Sequence, residues 1–230
     1  MKDKRTKSDL IKRVSELEED LRRANRTILQ MSLDLDVKIH VDITAHIAPK
    51  PTDEVKTALT RAENEFDLNI IDGINNKHIL DKYIRGSEGL GWSWIENYKN
   101  GSFEWCGAYA AYCYGPKLRS TIRMRTLPSC YRMYRDWRDT ERCVNGQDIK
   151  VGDIVTVWNS TNPERREATP QGNHILIVRT VPENGEFTTW EGNAKGYGPN
   201  GKWREGVSTR SRKVSTIANV YRLLQGDFNE

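Results

Sequence analysis

Phe103-Glu-Trp-Cys106-Gly-Ala-Tyr-Ala-Ala-Tyr-Cys-Tyr-Gly115 reads as a loop feeding a helix of about two to three turns, which Gly115-Pro116 stops. Cys106 falls at the helix N-terminus. There the unpaired backbone N–H groups and the helix dipole favour negative charge, and with it the nucleophilic thiolate. Gly107, Ala108, Ala110 and Ala111 are small, so this helix can lie close against a sheet. The sheet offers His174, which follows Gly172-Asn173 and opens the apolar strand Ile175-Leu-Ile-Val178. An imidazole there can face the helix end. The plainer alternative is a buried thiol and a strand-edge histidine with no chemistry between them.

A third element sharpens the first reading. A hairpin loop over Pro182–Gly185 would place Asn193 opposite His174 and Glu191 on its diagonal, all three on one sheet face. Diagonal neighbours lie roughly 7–8 Å apart, within reach of a Glu or Asn side chain. Such a partner can bond the ring nitrogen turned away from the sulfur and fix its tautomer. Nucleophile, base and orienter would then be present together.

Outward from this centre, Thr52 or Asp53 can cap a helix running to about Phe66, and His78–Arg85 reads as a second, short helix. Strands are expected at Asp153–Trp158, His174–Val181, Glu186–Glu191 and Ile217–Leu223. Turn signals stand at Asn145-Gly146, at Asn184-Gly185 and through Gly192–Gly201. Helices first and an antiparallel sheet after them make an α+β fold. Between them, residues 117–142 carry eight basic against three acidic side chains. Cys130–Arg138 interleaves cations with aromatics, as single-stranded nucleic-acid surfaces do. Helical spacing of Tyr131, Tyr134, Trp137 and Arg138 favours a solvated helix with one side buried. Tyr109, Tyr112, Trp92 and Trp94 are expected in the core.

The N-terminal segment is different. Leu10, Val14, Leu17, Leu21, Ala24, Ile28, Met31 and Leu35 follow steps of four and three, a heptad seam. Its other faces are rich in Lys, Arg, Glu and Asp, which suits a self-associating helix better than one packed on its own domain. From Leu33 to Thr44 apolar and polar residues alternate as in a strand, and Pro49-Lys-Pro51 marks a linker. The expected organisation is a coiled-coil helix over 1–32, an extended segment and linker over 33–51, and a catalytic domain over 52–230.

Composition bounds the function. At 230 residues and 26.5 kDa the chain has room for one ordinary domain and an appendage. No apolar run approaches the ~18 to 20 residues of a membrane-spanning helix. The basic start carries no apolar stretch, so no signal peptide is expected. Cys106, Cys113, Cys130 and Cys143 form no C-x-x-C pair and read as reduced thiols rather than a zinc site. A net charge of +4 does not by itself imply nucleic acid.

W-C-G-A-Y-A-A-Y at 105–112, V-G-D-I-V-T-V at 151–157, G-N-H-I-L-I-V at 172–178 and W-E-G-N at 190–193, taken in order, resemble the CHAP family. These are cysteine- and histidine-dependent amidohydrolases/peptidases of the papain-like group. The likeness covers roughly residues 52–225. It implies Cys106 as nucleophile, His174 as base, Glu191 and Asn193 as polar partners, and Asp153 as a structural turn residue. It implies cleavage of an amide bond in bacterial peptidoglycan, by an amidase or endopeptidase of phage-lysin or virion-associated type. Trp105, Trp190 and Trp203 are assigned to the substrate side, Trp203 with the glycine-rich stretch before it. Some members carry an acidic calcium loop, whose spacing Asp67–Asn75 lacks, so neither metal nor cofactor is expected. The expected partners are peptidoglycan and further copies of the chain through residues 10–35, without nucleic acid or membrane. The expected place of action is the cell wall, after synthesis in the cytoplasm. The rival from another class is an inactive papain-like adaptor of a virion, assembled through the coiled coil.

Overall fold

The structure is a computed structural model and describes residues 52–73, 76–85, 93–100, 104–159, 162–181 and 184–229. The heptad seam, the alternating segment after it, the proline linker and Trp92 lie outside the described residues, as does the side chain of Trp94.

Helix α1 (Asp53–Asp67) starts where Thr52 accepts a bond from the Val55 N–H at 3.3 Å, and Asp53 and Glu54 suit the positive end of its dipole. It buries Ala58, Ala62 and Glu65. The Glu65 carboxylate accepts bonds from Tyr83 Oη (2.6 Å) and Tyr112 Oη (3.0 Å), tying α1 to the segments that follow. Where a second α-helix was expected, Ile79–Ile84 forms a π-helical turn. Then come α2 (Ser93–Lys99), α3 (Cys106–Tyr114), α4 (Cys130–Trp137) and α5 (Pro163–Ala168). Helix α4 buries Met133 and Trp137, whereas Tyr131 is exposed, contrary to the expected buried side. Three of the arginines in and after it are paired within the chain: Arg135 and Arg138 with Asp136 and Asp139, and Arg142 with the buried Asp227.

Six strands, β1 (Cys143–Val144), β2 (Ile154–Val157), β3 (His174–Val178), β4 (Glu186–Tyr197), β5 (Trp203–Lys213) and β6 (Ile217–Tyr221), form one antiparallel sheet in the order β1-β6-β2-β3-β4-β5. The protein is therefore α+β. Successive strand residues face opposite sides. Ile154, Ile175, Ile177 and Trp190 join α1 and α3 in one core, and Val155, Val157, Leu176, Val178 and Phe187 build a second. Covering both faces is what makes β3 a continuous apolar run. Each Ile or Val buried there contributes about 1.5–3 kcal/mol. Asp153 closes the turn before β2, accepting from the Lys150 N–H at 2.7 Å and from Arg222 Nε at 2.9 Å.

Two expectations fail on the far side of the sheet. Residues 192–201 are not one long turn: β4 runs through them to Tyr197, and only the stretch after it turns. Strand β5, which the sequence reading left unassigned, pairs with β4 along most of its length. The misleading residues belong to a bulge between Glu191 and Ala194, where Asn193 adopts φ 54°. A bulge demands Gly and Asn within a strand, the same residues that signal turns.

Candidate active site

The position of α3 follows from its small residues. A Cβ built on Gly107 would lie 2.6 Å from Pro128 Cα and 2.8 Å from Ile175 Cδ1, so only glycine lets the helix approach β3 this closely. On the other side, a Cβ on Gly192 would come within 2.5 Å of Tyr109 Cβ. The bulged part of β4 thus lies directly on the first turn of α3. Trp105 gives its carbonyl to the Tyr109 N–H at 3.0 Å but offers no side-chain cap, so the helix end is left open beside Cys106.

Three of the expected residues come together there. The Cys106 sulfur is near enough to strengthen the His174 ring's hold on a proton, and the ring's Nε2 lies 2.9 Å from Glu191 Oε2. With Nε2 taken, Nδ1 is the nitrogen left for the sulfur. Glu191 is fully buried, and His174 and Cys106 are 4% and 5% exposed. A fourth residue completes the chain. Arg212 Nε donates to Glu191 Oε1 at 2.7 Å, its Nη2 donates to Oε2, and Thr189 Oγ1 donates to Oε1 at 2.6 Å.

These neighbours decide the protonation states. Burial opposes a charged imidazole, yet the Cys106 sulfur and then Glu191 outweigh it, holding His174 up at about 9. Burial likewise pushes the Glu191 carboxyl up, but Arg212 and His174 pull it well below the ordinary carboxylate range. A ring with a raised hold on its proton thus lies between the sulfur and an anchored carboxylate. That arrangement can accept a thiol proton and later deliver it to a leaving group.

The other assigned residues need correction. Asn193 lines the same cleft as His174 but is not joined to it: the β3–β4 ladder pairs Ile177 with Trp190 and Val178 with Thr189 and does not reach the bulge at Asn193. Its Nδ2 donates to Glu104 instead. Trp105 is core: it stacks on Tyr83 with ring centroids 5.6 Å apart and donates from Nε1 to Asp72 Oδ1 at 3.2 Å. Trp190 is also core, 5.1 Å from Phe66 and covered by Arg179, because a strand residue next to Glu191 must face the opposite side. Trp203 is 53% exposed against Tyr197, with the Arg210 guanidinium over its ring.

His174 lines a cleft of about 410 Å³, together with Glu104, Trp158, Asn193, Arg210 and Arg212, among others. The buried Cys106 is not part of its wall. The aromatic wall is thus Trp158, which sequence reasoning passed over. Arg212 was equally missed. The one signal for it was the alternation Ser208, Arg210, Arg212 along β5, which shares a face with Glu191 through the pairs Glu191↔Ser208 and Thr189↔Arg210. Among the described residues, no cluster of three or more His, Cys, Asp or Glu side chains could hold a metal ion. Compared with protein-family models, curated proteins and solved structures, the chain matches none.

Proposed function

We propose that the chain is a papain-like thiol hydrolase of CHAP type that cleaves an amide bond of bacterial peptidoglycan. The observation that carries this reading is the buried cluster of Cys106, His174 and Glu191 beside a cleft, with the His174 ring bonded to Glu191. In the proposed reaction the Cys106 sulfur, its proton on His174, attacks the amide carbonyl. The oxyanion takes a hydrogen bond from the Cys106 backbone N–H at the uncapped helix end. The C–N bond then breaks as the imidazolium protonates the departing amine. Water, deprotonated by the neutral His174, attacks the thioester, frees a carboxylic acid and returns the thiol.

Cys106→Ala should abolish the release of new amine ends from purified sacculi. Undiminished release by that variant would remove the mechanism. The rival, an inactive adaptor, draws on the burial of Cys106 at 5% exposure. Iodoacetamide separates the two. Rapid, His174-dependent alkylation of Cys106 near pH 6 to 7 belongs to the enzyme, and an inert thiol to the adaptor.

A further inference from the structure

We propose that the cleft beside His174 selects substrates bearing a free carboxylate close to the scissile amide, and that Arg210 receives it. The identity of the substrate rests on the hydrolase reading above; the binding itself does not require turnover.

The cleft wall holds Arg166, Lys195, Arg210 and Arg212 against Glu104 and Glu205. Most of these charges are answered from within the chain. Arg212 is held by Glu191, Lys195 lies 3.8 Å from Glu205, and Glu104 receives the Asn193 amide. Arg166 lies over Trp158 and donates to the Ser215 carbonyl at 3.3 Å. Arg210 is different. Among the described residues it makes no ion pair; Nη1 donates to the Lys195 carbonyl at 3.4 Å, and the guanidinium lies 5.6 Å over the Trp203 ring. Burial, and after it the neighbouring Arg212, weaken its hold on its proton, and the Glu191 carboxylate offsets them only in part. It is a half-buried cation beside a second cation, with most of its five N–H donors still to be used.

A guanidinium beside an aromatic ring that uses one N–H on a carbonyl has, among the described residues, further N–H donors to offer, and such donors fit a carboxylate bidentately. Its place in the sheet sets the spacing. Arg210 and Arg212 share a face of β5, roughly 7 Å apart along the strand, and Arg212 holds the carboxylate that holds His174. An anionic group on Arg210 would therefore lie within about one residue of the bond next to His174. Peptide stems of the wall carry free carboxylates at that kind of spacing, whereas a neutral glycan does not.

The test is binding to the full-length C106A protein by calorimetry, with a short wall-stem peptide and the same peptide with its carboxylates converted to carboxamides. Amidation should weaken binding at least ~tenfold, the size expected for a lost charge-assisted pair. Arg210→Gln in the C106A chain should erase the difference. Equal affinities for the two peptides, binding of neither at millimolar concentration, or discrimination unchanged by Arg210→Gln would each overturn the proposal. So would inorganic phosphate displacing the peptides equally well, since the site would then be for phosphate. Discrimination by C106A alongside an active-site chain that releases no amines from sacculi would sink the hydrolase reading and leave the carboxylate site standing. The two can therefore fail separately.

Discussion

Replacing Arg212 by Met should destabilise the fold by about 3–5 kcal/mol at pH 7, the cost of breaking a buried ion pair from one side. Both partners are out of water, with side chains 7% and 0% exposed. Met fills much of the arginine's volume, so the loss is electrostatic rather than a cavity. Glu191 would keep only the Thr189 hydroxyl and the His174 ring. The sign with pH follows. In the native chain Glu191 is held below its ordinary 4.5, so its stabilisation is present above that value and lost as pH falls through the folded one. Without Arg212 the lowering contact is gone and the burial that raises the carboxyl remains. The deficit should be full at pH 7 and narrow towards pH 4, as the stranded carboxylate takes a proton. Urea titration at both pH values measures it. A parallel Glu191→Gln/Arg212→Met double variant should lose less than the two singles added together. A cost below about 1 kcal/mol, the range of exposed pairs, and equal at both pH values would refute the reasoning.

Three further outcomes are expected. Because His174 is raised from 6.5 to about 9, its stabilisation is complete below pH 6.5 and disappears as pH rises through 9. The fall is on the order of 3 kcal/mol; NMR titration of the ring in native and C106A protein should show the value dropping without the sulfur, and an unchanged value would break the link between them. Gly107→Ala should cost about 1–3 kcal/mol by overpacking against Pro128 and Ile175 and slow Cys106 alkylation; a thermal melt identical to the native one would show that the close approach is not needed. Asn193→Ala should leave the His174 titration where it was, since Asn193 bonds Glu104, while Glu191→Gln should lower it. A shift of equal size in both variants would restore Asn193 as a partner of the ring.

What the sequence made legible, and what it hid, divides along the polarity of each strand face. Strand β3 is buried on both sides, so His174–Val178 announces itself as an apolar run, and the small residues after Cys106 announce a helix pressed on a sheet. The β3–β4 register also followed from the loop length, but only as far as Trp190 and Thr189, because an ideal ladder cannot foresee the bulge that removes Asn193. Strand β5 was invisible for a better reason. Its face towards the site is Ser208, Arg210 and Arg212, so the alternation by which strands are recognised was spent on polar groups that surround Glu191. The tryptophans were misassigned through proximity in sequence. Trp190 is adjacent to Glu191, and for that reason points away from it.

Charge alternation along the buried run bears on which proposal the protein fits better. With the thiol proton on the imidazole, the order sulfur, His174, Glu191, Arg212 alternates in sign and sums to zero, so no net charge is carried into the interior. Removing any member leaves one, which is why the four should respond to mutation as a unit. A site kept only for packing would have no use for this. Apolar residues of similar volume are commonly as stable as a buried ion network or more so, since they need no desolvation of charge. Four ionisable side chains held this way beside a cleft, at the uncapped end of a helix, therefore favour the hydrolase proposal over the inert adaptor. An adaptor reading has to explain why the network would be retained at all. Thermal stability of a Cys106→Val, His174→Leu, Glu191→Leu, Arg212→Met chain puts the argument to measurement. Retained or increased stability is the outcome expected of a network kept for chemistry, and collapse of the fold would return the residues to a structural role.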